Sequence, residues 1–102
     1  MGGASDRPAR RTIVREIRGI PLFLLREYLE ELGGTSGVEG RVEGRVEGRV
    51  EGPGWRADLE RMEPFRIGSL AVGQTRLTLE IEESQADEFL ERLELKTLRA
   101  GA

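Results

Sequence analysis

The chain is 102 residues long, a length for one domain around one modest core. It has neither cysteine nor histidine, which excludes disulfides, thiolate chemistry, Cys- or His-bound metals and every Ser-His or Cys-His nucleophile. A net charge of −3 argues against a general nucleic-acid binder, and the composition suggests no cofactor and no metal.

No apolar run approaches a membrane span, and the start MGGASDRPARR lacks the apolar stretch of a secretory signal, so a cytoplasmic, non-membrane protein is expected. Lys96 is the sole lysine beside many arginines, Asn is absent and Gln occurs only at 74 and 85. Few thermolabile side chains with abundant Arg and Glu is a composition expected of a thermophile. The charges are sorted: residues 1–20 hold five arginines against two acids, and residues 79–95 hold seven acids against Arg92. A solvated acidic helix face beside a basic tail explains this, and so does attraction between the two ends.

In chain order, residues 1–11 are polar and rich in Gly, Ala and Arg, and read as a disordered tail ahead of a single domain over 12–102. TIVREIR (12–18) alternates as a strand and stops at Gly19. PLFLLREYLEEL (21–32) predicts a helix: Pro21 suits the first turn, Leu22, Leu25, Leu29 and Leu32 recur at helical spacing, and Gly33-Gly34 ends it.

The repeat that follows, GVEGRVEGRVEGRVEG, places Val38, Val42, Val46 and Val50 and the intervening glycines at even positions, with Glu and Arg at the odd ones. On a strand this puts Val and Gly on one face and the charges on the other, whereas in a helix each glycine costs about 1 kcal/mol relative to alanine. The expectation is a strand or hairpin insert at 37–54, with a disordered low-complexity linker as the competing reading; residues 38–52 fully extended at about 3.3 Å per residue would reach roughly 50 Å, so a strand here either projects as an arm or is only partly paired. Pro53-Gly54 signals a turn. If those two residues form the loop, Gly52 faces Trp55, Glu51 faces Arg56, Val50 faces Ala57, Arg49 faces Asp58 and Gly48 faces Leu59. The Trp55 indole is then expected to cover the bare backbone of Gly52 and Gly48.

WRADLERM (55–62) alternates as the next strand; FRIGSLAVG (65–73) reads as a further strand with a bulge at Gly68; RLTLEIE (76–82) turns Leu77, Leu79 and Ile81 inward. Ser84, with Asp87 three residues on, predicts the cap of a second helix whose apolar stripe is Ala86, Phe89, Leu90 and Leu93.

Chemistry-bearing candidates are few. GGTSG (33–37) has the composition of a phosphate cradle, but it follows a helix and enters a strand, the reverse of phosphate loops, and reads as a helix C-cap. The carboxylate pairs at 30–31, 82–83 and 87–88 lie on exposed faces of amphipathic elements rather than converging, so no catalytic residue is assigned. Tyr28, Trp55, Arg66 and Ser69 are the candidate ligand-binding residues, although packing at the rim of the core is the simpler account of them.

IRGIPLFLLREYLEELGG (17–34), GW (54–55), FRIGSL (65–70) and ELKTLRAG (94–101) together resemble a small bacterial family that is a domain of unknown function, typical of thermophiles. The resemblance implies a strand-helix-strands-helix sandwich and supplies no catalytic residues. The residues themselves give the same class: α+β, a two-layer sandwich in the order β-α-β-β-β(-β)-α, both helices on one face of a mostly antiparallel sheet. The functional expectation is a non-enzymatic interaction or scaffold module. It is expected to form a homo-oligomer, with a protein partner possible and nucleic acid not expected. A small-ligand or anion-binding domain, or a minor enzyme working without His or Cys, is the alternative.

Overall fold

The computed structural model describes residues 9–37, 40–42 and 45–101. Its elements are β1 (Arg10–Arg18), α1 (Leu22–Glu31), β2 (Thr35–Ser36), β3 (Gly40–Val42), β4 (Arg45–Gly52), β5 (Trp55–Ile67), β6 (Leu70–Glu82) and α2 (Glu83–Gly101). The strands make one sheet in the order β1-β6-β5-β4-β2, with β3 also paired to β4, and every pairing is antiparallel. Residues of both helices join the core-facing strand residues in one apolar cluster, giving the expected α+β layering.

The leucine spacing of α1 becomes its packing. Leu22, Leu25 and Leu29 are buried, and the helix ends in a Schellman motif: the N–H of Gly34 donates to Leu29 O at 3.1 Å, that of Gly33 to Glu30 O at 3.0 Å, and Gly33 takes φ +105°. GGTSG is thus a helix C-cap leading into β2. Helix α2 starts at Glu83, directly after β6, so Ser84 lies inside its first turn rather than capping it. Its stripe is as expected: Ala86, Phe89 and Leu93 are buried and Leu90 packs against them. No helix among the described residues is long and apolar enough to cross a membrane.

Period-two alternation sets the middle of the sheet. Trp55, Ala57 and Leu59 of β5 and Leu77, Leu79 and Ile81 of β6 are buried under the helices. The β4–β5 register is the one alternation predicts, from Gly52 opposite Trp55 through Gly48 opposite Leu59. Gly54 has φ +80°, which a type II turn with proline in the preceding position requires. A Cβ at Gly52 would come within 2.4 Å of the Trp55 ring, so the indole does lie on that glycine. Gly48 is covered by Leu22 instead, 3.6 Å from where its Cβ would be, and the second glycine beneath the indole is Gly34. Helix α1, which no strand pattern reveals, supplies that difference.

Two further expectations are corrected, and the repeat takes the hairpin form of the two expected for it. FRIGSLAVG is not one strand: Gly68-Ser69 is the turn between β5 and β6, with Gly68 at φ +58°, and the irregularity lies between Met62 and Phe65. A left-handed turn at glycine and a strand bulge leave the same mark in a sequence. The first strand begins at Arg10, so Arg10 and Arg11 pair with Glu82 and Ile81; the rest of the expected disordered tail, 1–8, lies outside the described residues. The repeat folds back on itself: β3 pairs with β4 with Val42 opposite Arg45 and Arg41 opposite Val46, which joins unlike members of the repeat.

Candidate functional site: the uncovered sheet face and the hairpin arm

Among the described residues, one face of the sheet carries both helices and the other is uncovered. Its cross-strand rows are charged, because alternation sends there the polar residue of every pair whose neighbour is buried. Arg49 Nε donates to Asp58 Oδ1 at 2.7 Å, Arg56 bonds Glu80, and Arg76 reaches Glu16 at 3.3 Å and Glu60 at 3.7 Å. Exposed pairs of this kind contribute about 0–1 kcal/mol each, so the rows set register and solubility more than stability. Among the described residues, no group of three or more Asp and Glu side chains is arranged to hold a metal ion.

The face changes character toward the β5–β6 turn. Met62 pairs with Gln74 and Phe65 with Val72, three positions on β5 against two on β6. That extra residue reverses the alternation of β5. Phe65 and Ile67 therefore share the uncovered face with Val72 and Leu70, their register partners. Ile67 and Leu70 are 59% and 68% exposed, and the Arg18 guanidinium sits 3.6 Å over the Phe65 ring as a cation–π contact.

This apolar patch lies on an arm. β4 accompanies β5 only to Glu60 and β1 accompanies β6 only to Gln74, so beyond these the two strands continue as an isolated ribbon. The edge of β5 is blunted by Pro64 and the bulge; among the described residues nothing pairs with the edge of β6 over Leu70–Val72. A longest dimension of 59 Å and a radius of gyration of 15.1 Å, against about 13 Å for a compact chain of this length, reflect that extension.

The four candidate ligand residues are divided between body and arm. Trp55 is buried in the body, its ring 4.7 Å from that of Phe89, and edges a cleft of about 350 Å³ shared with Gln85 and Arg92. Gln85 Nε2 donates to Pro53 O at 3.1 Å, closing one side of that cleft. Tyr28 packs half-buried against the core from α1. Arg66 and Ser69 are exposed on the arm, Arg66 opposite Ala71 and Ser69 in the turn. Trp55 and Arg66 are eleven residues apart on one strand, roughly 36 Å at about 3.3 Å per residue, so the four do not form one cluster. The apolar quartet Phe65, Ile67, Leu70 and Val72 went unread because its shared face depends on the bulge. Its faint signal was Pro64 within a run of β formers.

The oppositely charged ends of the chain meet beside the first turn of α2. Arg11 of β1 bonds Glu83, and its Nη1 reaches Asp87 Oδ1 at 3.1 Å. The hydrogen bond from Arg11 lowers the Glu83 pKa below the ordinary carboxylate range, and the two acids raise that of Arg11.

No match is found among curated proteins. A family model matches residues 13–102; it is an archaeal family rather than the expected bacterial one, and it defines no function. With nearly the whole domain matched, the chain belongs to the family described as archaeal MoaD-like protein.

Proposed function

We propose that this chain is a non-catalytic interaction module that self-associates through the β5–β6 arm, the second copy of the chain being the partner. The observation that supports this is the apolar quartet on one face of a ribbon whose β6 edge is open. A lone two-stranded ribbon is marginal in water and gains most from further strands. Two arms related by a two-fold axis and paired antiparallel about Ala71 would set Leu70 of each copy against Val72 of the other, with no like charges opposed. The uncovered faces would then continue across the axis. The charged rows keep the rest of that face in water and confine association to the arm.

Light scattering from low to high micromolar concentration tests the reading. A mass that rises toward a dimer supports it, and Leu70→Lys should return the chain to a monomer with its fold intact, because Leu70 is exposed in the single chain. A monomer throughout that range overturns it.

A further inference from the structure

We propose that a cleft at the N-terminus of α1 binds a small carboxylate bearing a short apolar chain, with Arg61 and Thr75 as its polar contacts. Alternation along β5 and β6 assigns the helix-covered face to Trp55, Ala57 and Leu59 and to Leu77, Leu79 and Ile81. One step further along both strands, the same face carries Arg61 and Thr75, which are direct register partners. A buried hydroxyl residue, Thr75, and an exposed cation, Arg61, thus stand where the apolar row ends near the start of α1.

Neither has a partner of its own. Thr75 is 3% exposed, and among the described residues its hydroxyl makes no hydrogen bond and the Arg61 guanidinium no ion pair. Both line a cleft of about 390 Å³, within the range of small-ligand sites, whose remaining walls include Ile20, Leu22, Met62 and Pro64.

The helix end adds to this. Pro21 stands at the cap position with no side-chain cap, the N–H groups of Leu24 and Leu25 both take Pro21 O at 3.1 Å, and no acid lies in the first turn. The N–H groups of Leu22 and Phe23 are left without intrahelical acceptors at the positive end of the helix dipole. One cation, one hydroxyl open to the cleft and a helix N-terminus suit a single negative charge, and Arg matches a carboxylate through two parallel hydrogen bonds. The apolar walls call for an apolar body behind that group. A phosphate dianion would face too few donors and no use for the walls.

Titration of the isotopically labelled chain with octanoate, followed by amide NMR, tests this. The expected result is saturable shifts at Leu22, Phe23 and Thr75 with a Kd of about 1 mM or tighter. Inorganic phosphate should give no saturable shift, and octanol should bind at least about tenfold more weakly. Arg61→Gln should weaken octanoate at least about tenfold. Thr75→Val, which keeps the shape, should weaken it while changing the melting temperature of the free chain little, since the hydroxyl opens on the cleft. Leu70→Lys, outside the cleft, should leave octanoate binding unchanged, which separates this site from self-association. Octanoate that fails to saturate, that binds Arg61→Gln as tightly, or that shifts the amides around Trp55 instead overturns the assignment, as does phosphate binding of equal strength.

Discussion

The helix-covered body and the β5–β6 arm are built from the same two strands yet held in different ways. In the body each core-facing residue of β5 has sheet on both sides and a helix above it, so Ala57 and Leu59 are buried almost completely. In the arm the same strand has one neighbour and no helix, and its large side chains reach water. Burial at roughly 25 cal/mol per Å² therefore accumulates in the body and hardly at all in the arm. The difference teaches that strand length and strand stability are separate quantities here: the hydrogen-bond ladder runs on for several residues after the core has stopped.

The largest test of this contrast is Trp55→Ala. It removes the indole that covers Gly52 and Gly34 and contacts Phe89, and should cost about 3–5 kcal/mol in denaturant unfolding. A loss below about 1 kcal/mol, the scale of an ordinary surface change, would show that the body is not organised around it.

Glycine substitutions sharpen the comparison. A Cβ at Gly34 would come within 2.4 Å of Val50 and 2.5 Å of the Trp55 ring, so Gly34→Ala should cost about 1–3 kcal/mol through overpacking. At Gly68 no atom lies within 4 Å of such a Cβ, and only the φ of +58° opposes it. Gly68→Ala should cost about 1–2 kcal/mol of backbone strain and nothing from packing, toward the low end of the Gly34→Ala range and read as a small shift in the melting curve. If the order of these two were reversed, the arm would be packed more tightly than its exposure shows.

The smallest effect concerns the contact between the chain ends. Because Arg11 lowers the Glu83 pKa in the folded chain, the stability it contributes is present above the ordinary carboxylate range and lost as pH falls through the lowered value. Arg11→Gln should therefore lower the melting temperature slightly near neutral pH and leave it unchanged in strong acid, where Glu83 is protonated in both forms. The same loss at both pH values would mean that Arg11 acts by packing alone.

Much of the body is legible in the sequence. The leucine spacing of α1, the Gly33-Gly34 stop and the β4–β5 register all follow from local periodicity and turn chemistry, and each stands where those place it. Gly68 was misread because bulge and turn leave the same local mark. The arm's apolar face was hidden because one extra residue between Met62 and Phe65 reverses every later position of β5.

The cleft at Arg61 and Thr75 lay between these cases. Each is an anomaly in its own alternation, visible in the sequence, but nothing local says that the two are partners or that α1 begins above them. By itself the sequence determined which residues are helical or extended and which side of each strand seeks the core, since those depend on neighbours two to four positions away. Only the tertiary structure decided where α1 lands on the sheet, which face the arm's apolar residues share and that Arg11 meets Glu83. Those outcomes depend on where the chain returns after tens of residues, and a local period carries no information over that distance.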